Sequence, residues 1–261
     1  MRRVRLFIPI TFAVTWICWW ALAWFTASGR TEFGSPFSMV LFILGGSGPT
    51  VAAYLSAART PEEGSLKEFH SRVLAWRASW VWKAYALLLP LVLGLVIISA
   101  AQAADSGFLQ RNPLRPPYLF IPLFFTSIVM GGLEEFGWRG VMQESLKDRF
   151  SLPALNLIIG LTWALWHLPL FFTTGLAHQG SSFLFYTLSA VGYSAMLTRL
   201  YASTRSILLC VIFHASINAS GGIGASVPLG EAGLLPLQSA VLLLAGTVIL
   251  LTSRRGRHLS C

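Results

Sequence analysis

Eight apolar runs, each close to the length of a bilayer-spanning helix, alternate with short polar or Pro/Gly-rich stretches. They are Phe7–Ala27, Pro36–Ala57, Val81–Ala101, Tyr118–Arg139, Leu152–Phe172, Ser182–Leu200, Ser206–Gly222 and Leu234–Leu251. A helix rises 1.5 Å per residue, so about 20 apolar residues cross the hydrocarbon layer. The pattern predicts an all-α polytopic membrane protein with about eight transmembrane helices, forming a single integral-membrane domain over residues 1–261. Two stretches depart from plain alternation. Residues 58–80 are charged but punctuated by Leu66, Phe69, Val73, Leu74 and Trp76, as in an amphipathic loop lying on the cytoplasmic membrane surface. Gly45-Gly46-Ser47-Gly48-Pro49 interrupts the second run, which predicts close packing through small residues and a proline kink. The first run follows Arg2, Arg3 and Arg5 but is longer than the roughly 7–15 apolar residues of a secretory signal, so it reads as a retained helix.

Composition sharpens this picture. Of 261 residues, 55% are hydrophobic and 11% charged, against about 25% charged in ordinary soluble domains. So little charge cannot coat a globule of this size in water, which excludes a soluble enzyme. A net charge of +9 would point to nucleic acid in a polar protein. Here its distribution assigns it to topology instead, and no nucleic-acid partner is expected. With a cytoplasmic N-terminus, 16 of the 19 Lys and Arg fall in inner segments, among them Arg254, Arg255 and Arg257 of the tail. Only Arg30, Arg111 and Arg115 fall outside. The positive-inside rule then puts both termini in the cytoplasm and the protein in the plasma (inner) membrane. Cys18, Cys210 and Cys261 are isolated, and Cys261 is not placed to form a prenylation box.

Against that background the ionisable residues within the runs need a reason, because charge at the bilayer centre costs roughly 2.5–3.5 kcal/mol on insertion scales. The fourth run ends in Glu134-Glu135-Phe136-Gly137-Trp138-Arg139. Glu135 stands four residues before Arg139, the acid-first spacing of a helical ion pair. That pairing leaves Glu134 on another face, without an intrahelical partner and free to act as a general base. The fifth run carries Trp163 and His167. Glu134 and His167 are equidistant from the turn at Phe150–Pro153, so an antiparallel hairpin brings them to equal depth, facing each other. The seventh run carries His214 and Asn218, one helical turn apart on one face. A histidine and an amide so placed suit either an oxyanion or a metal. Together the four residues make a site for activating water against a carbonyl. His70, His178 and His258 lie in a surface segment, a loop and the tail, and are set aside.

In this order, on separate membrane helices, the motifs resemble the CPBP family of intramembrane proteases, also called CAAX proteases and bacteriocin-processing enzymes or the Abi family. The family pattern is E-E-x-x-x-R, F-x-x-x-H and H-x-x-x-N. Here these are Glu134-Glu135…Arg139, Trp163…His167 and His214…Asn218, within a core of about residues 118–222. Trp163 replaces the usual Phe, and repacking without loss of activity is expected. The resemblance implies an endopeptidase acting on a membrane-associated peptide or protein, lipidated or not. Glu134 and His167 would activate water, and His214 and Asn218 would hold the oxyanion. Glu135 and Arg139 would form a structural ion pair supporting the site. No cofactor is certain. Zinc stays open, with Glu134, His167 and His214 as its ligands, although a metal-free glutamate base is preferred. H-E-x-x-H and G-x-S-x-G are absent, and Asp105 and Asp148, the only aspartates, lie in loops. The alternative is a non-enzymatic membrane immunity protein or a small transporter, which uses buried polar residues for binding or gating.

Overall fold

A computed structural model of the chain describes residues 1–252; Arg254, Arg255, Arg257, His258 and Cys261 lie outside the described residues. Helices make up the regular structure: α1 (Arg2–Ala27), α2 (Pro36–Gly46), α3 (Gly48–Arg59), α4 (Leu66–Val73), α5 (Trp80–Ala104), α6 (Phe108–Arg111), α7 (Phe120–Met130), α8 (Glu135–Gly137), α9 (Glu144–Leu146), α10 (Leu152–Trp166), α11 (Phe183–Thr204), α12 (Ile207–Gly222) and α13 (Leu235–Leu251). No strand occurs among the described residues. Every apolar run of the sequence therefore became helix, which makes this an all-α integral membrane protein.

The expected count of eight spans is not reproduced. Among the described residues, five stretches are long and apolar enough to cross a bilayer: Arg2–Ala27, Pro36–Arg59, Trp80–Ala104, Pro117–Leu146 and Leu152–Phe172. The last two apolar helices, Ile207–Gly222 and Leu235–Leu251, are shorter. α11 has 22 residues, but it interleaves Ser189, Ser194 and Thr198, all buried, with its apolar side chains. It packs against α10, α12 and α13. A helix enclosed by protein answers to its neighbours more than to lipid, so it tolerates a lower apolar content.

Packing is close because small residues lie at the crossings. A Cβ added to Gly192 on α11 would come within 2.6 Å of the Leu242 backbone carbonyl carbon on α13, so the two backbones run in direct contact there. The Gly45–Pro49 stretch breaks the second span at Ser47, between α2 and α3. α1 lies along both halves. The Thr15 hydroxyl of α1 donates to the Gly45 carbonyl at 2.7 Å and Trp19 donates its indole N–H to Phe42 O at 3.0 Å, so polar groups opened by the break are satisfied inside the protein.

Polar contacts gather at the two ends of the bundle. At the end bearing the N-terminus, Glu144 receives Lys147 at 3.0 Å, the Tyr201 hydroxyl at 2.9 Å, Arg72 at 3.4 Å and Arg205. The surface segment expected from the sequence is α4, opened by a Ser65–Glu68 capping box and plugged into the bundle by the fully buried Phe69. Arg3, one of the three arginines at the start of the chain, is buried. It is 2% exposed and caps the end of α3, donating to Thr60 Oγ1 at 2.8 Å, Thr60 O at 2.7 Å and Gly64 O at 2.6 Å. At the opposite end Arg111 bridges Asp105 and Glu231, Asn112 donates to Glu231 at 2.8 Å, and Thr174 N–H donates to Thr26 Oγ1 at 3.1 Å.

The Gly192 crossing gives a stability test. Gly192→Ala should push α11 from α13 and lower stability by about 1–3 kcal/mol, the usual cost of overpacking. Gly233→Ala, where an added methyl meets open space, should change it by less than about 0.5 kcal/mol. Thermal unfolding of the two variants in detergent micelles, compared with the parent, measures the difference.

Candidate active site

The fourth span is not the continuous helix that its apolar pattern predicts. α7 stops at Gly131, and the chain continues through a 3₁₀ turn at Gly132–Glu134, then α8, then a π-helical stretch at Trp138–Gln143 before α9. The adjacent glycines allow this: a Cβ on Gly132 would lie 3.0 Å from Val211 O on α12. The two segments meet backbone to backbone, and the freed Leu133 carbonyl accepts the Thr50 hydroxyl at 2.8 Å. Short 3₁₀ and π segments within longer helices often mark functional positions. Here they aim both glutamates and Arg139 into the bundle.

Glu134 is 6% exposed and reaches the wall of an internal cavity. The sequence leaves it without a partner, but the fold supplies two indole donors. Trp163 Nε1 of α10 donates to Glu134 Oε2 at 2.9 Å, and Trp138 Nε1 donates to the same oxygen at 3.4 Å. Oε1 is not held by either.

Glu135 carries more than an ion pair with Arg139. Arg139 Nη1 lies 3.3 Å from Glu135 Oε2, with both side chains at 0% exposure. The other oxygen, Oε1, is 2.8 Å from His214 Nδ1. Arg139 Nη2 donates to Ser194 O at 3.2 Å and Ser194 Oγ at 3.1 Å. One carboxylate is thus shared between a guanidinium and an imidazole, fastening the fourth span to α11 and α12. This contact fixes His214 with Nδ1 turned to Glu135 and Nε2 turned away. Gly131 marks where Nε2 points: an added Cβ there would lie 3.1 Å from His214 Nε2 and closer still to Asn218 Nδ2. The two nitrogens converge on one spot, three residues before Glu134. Asn218 is exposed to the cavity and His214 is 3% exposed.

His167 closes α10 where the following Leu168-Pro169 turns the chain into a 3₁₀ segment, Leu168–Phe172. Its Nδ1 pairs with Trp163 O at 2.9 Å. A carbonyl can only accept, so Nδ1 carries the proton and Nε2 is left as an acceptor. Glu134 and His167 do not bond directly; Trp163 touches both, through its indole N–H and through its carbonyl. Glu134, Trp163, His167, His214 and Asn218 all line the same cavity, of about 1110 Å³. Its lining extends to the loops around Arg115, Gly175–Gln179 and Gly224–Gly230, at the end of the bundle away from the N-terminus.

Residues 116–220 match the family described as Type II CAAX prenyl endopeptidase Rce1-like. Over that stretch the chain is similar to those CAAX prenyl endopeptidases. The matched span contains Glu134, Glu135, Arg139, His167, His214 and Asn218. A CAAX prenyl protease 2 of Methanococcus maripaludis is 27% identical over 255 residues, covering 92% of this chain and 93% of that protein. Lysostaphin resistance protein A of Staphylococcus haemolyticus is 30% identical over 138 residues, covering 51% of this chain and 36% of that protein.

The sequence leaves zinc open, with Glu134, His167 and His214 as the ligands that the resemblance implies. Among the described residues, no three His, Cys, Asp or Glu side chains are grouped to hold a metal ion. The contacts to Glu134 Oε2, His214 Nδ1 and His167 Nδ1 leave Glu134 Oε1 and the Nε2 atoms of both histidines without a hydrogen bond among the described residues. Two participants escaped the sequence reading. Trp163 is a hydrogen-bond donor to Glu134, which an aromatic-for-aromatic comparison with Phe does not reveal. His178, set aside as a loop residue, lines the cavity and packs against Phe171 and Tyr186 at ring-centroid distances of 5.2 and 5.3 Å. Burial pushes its imidazole down to about 4, so it is neutral near pH 7. Its loop position concealed it, since depth in a cavity is not a property of the local sequence.

The glutamates should separate in a stability measurement. Glu135→Ala leaves Arg139 buried without its counter-charge and should cost about 3–5 kcal/mol. In Glu134→Gln the amide oxygen still accepts from Trp163, so the loss should stay under about 1 kcal/mol. Thermal unfolding in detergent measures both. Equal losses would remove the distinction drawn between the two residues.

Proposed function

We propose that this chain is a CAAX-type intramembrane endopeptidase, hydrolysing a peptide bond in the C-terminal tail of a membrane-associated substrate. The observation carrying this reading is the convergence of His214 Nε2 and Asn218 Nδ2 beside Gly131, on the wall of a cavity that also holds the Glu134 carboxylate. Donors set opposite a base are what addition of water to a carbonyl requires.

Glu134 takes a proton from a water bound between it and His167 Nε2, and the resulting hydroxide attacks the scissile carbonyl carbon. The indole of Trp163 holds one carboxylate oxygen, leaving Oε1 for the water. The developing oxyanion lies against Asn218 Nδ2 and His214 Nε2. With Nδ1–H donated to Glu135, His214 can donate from Nε2 only when its ring carries both protons, and the Glu135 carboxylate supplies the counter-charge. Protonated Glu134 then gives its proton to the leaving amine as the C–N bond breaks, which restores the base. Nothing in this sequence of steps calls for a metal, and a chelator-sensitive activity restored by zinc would contradict it.

The apolar cavity suits a chain delivered from within the bilayer, and the name of the archaeal relative directs attention to prenylated tails. Basic residues concentrated at the N-terminal end support cytoplasmic termini in a plasma membrane.

Cleavage of an S-farnesyl CAAX peptide by purified protein in detergent tests the reading. Glu134→Gln and His167→Ala should each lower kcat by about 10²–10⁴-fold, the range for loss of a general base or its partner. Asn218→Ala should lower kcat by about 10²–10³-fold with little change in KM, as for removal of one oxyanion donor. Trp163→Phe should keep the fold and lose about tenfold, from an unanchored carboxylate. Wild-type rates in Glu134→Gln and His167→Ala together would sink the proposal, and the non-enzymatic alternative would replace it.

A further inference from the structure

We propose that Arg115 binds the free C-terminal carboxylate of the substrate tail. This inference rests on the endopeptidase reading and adds to it the group that fixes where along the tail the bond is cut. Arg115 is the one Lys or Arg on the cavity wall, and its exposed side chain forms no ion pair among the described residues. The nearby acids are already engaged: Asp105 and Glu231 both pair with Arg111. On the wall of a mostly apolar cavity this leaves a guanidinium without an ion pair among the described residues, whose planar fork matches a carboxylate with two parallel hydrogen bonds.

The backbone around Arg115 is built to hold it in place. Pro113, Pro116 and Pro117 flank it, and a residue preceding proline is restricted to extended conformations. Its own N–H donates to the carbonyl of Ile223 at 3.0 Å. Gly224, at φ +88°, brings the next residue against the same strap, where an added Cβ would lie 3.4 Å from Pro113 O. Ile223 caps α12, the helix that carries His214 and Asn218. One helix therefore sets both the proposed oxyanion site and the position of the cation. Asn218 and His214 precede Ile223 by five and nine residues, about 7.5 and 13.5 Å of helical rise. An extended peptide covers about 3.3–3.6 Å per residue. A carboxylate on Arg115 thus sits a few residues beyond a bond held at Asn218 and His214.

Binding to the Glu134→Gln variant tests this without requiring turnover. The probes are a fluorescein-labelled S-farnesyl CAAX peptide ending in a free carboxylate and the same peptide ending in a carboxamide, read by fluorescence anisotropy in micelles. The acid should bind at least tenfold more tightly than the amide. Adding Arg115→Gln should abolish that preference, and Arg115→Lys should retain part of it. Equal affinity for acid and amide, a preference that survives Arg115→Gln, or failure to bind either peptide would overturn the proposal. An equal loss for both peptides on Arg115→Gln would also overturn it, showing a residue that anchors to lipid phosphate. If wild-type protein cleaves neither peptide while the acid preference still depends on Arg115, the endopeptidase reading fails and the anchor stands.

Discussion

A buried carboxylate shared by a guanidinium and an imidazole holds this site together. Glu135 faces Arg139 with one oxygen and His214 with the other, all at or near zero exposure. In an apolar bundle no water can substitute for a missing partner, so each member of the trio depends on the other two. Arg139 extends the arrangement to Ser194 on α11. His214 extends it to the cavity, because committing Nδ1 to Glu135 decides which way Nε2 points. The orientation of the proposed oxyanion site is therefore inherited from an electrostatic contact that no substrate touches.

The surrounding fold serves this trio by bringing backbones unusually close. Gly131 and Gly132 let the broken fourth span lie against α12, and Gly192 lets α11 lie against α13. Larger residues at those crossings would displace the helices carrying Arg139's and Glu135's partners. The local conformations follow from the same requirement: a continuous α-helix through 117–146 could not meet α12 as closely and also present Glu134, Glu135 and Arg139 to different partners. Small residues and departures from α-helical geometry are two aspects of one packing solution.

Much of this was legible in one dimension. Charge is so sparse that Glu134, Glu135, Arg139, His167, His214 and Asn218 stand out against the apolar runs, and i to i+4 spacing predicts the Glu135–Arg139 pair found at 3.3 Å. Contacts between distant elements were not legible. The Glu135–His214 bond joins residues 79 apart and Trp163–Glu134 residues 29 apart, and neither follows from any periodicity. The break at Gly131 escaped because hydropathy registers what is apolar, not where a helix changes pitch. The burial of Arg3 was not legible for a related reason: three arginines before an apolar run look alike in sequence, and only the free carbonyls at the end of α3 distinguish the one that becomes buried.

Trp163 has a consequence for how such a site can change over time. Its ring fills volume between α10 and the fourth span, while its nitrogen satisfies a carboxylate. The two duties cannot be altered separately by one substitution. Phenylalanine keeps most of the bulk and drops the donor; histidine can keep a donor and leaves a void. Exchanges at position 163 should therefore be strongly non-additive with changes near Glu134. A change from one aromatic to the other therefore gains or loses the carboxylate's donor in the same step that reshapes the packing.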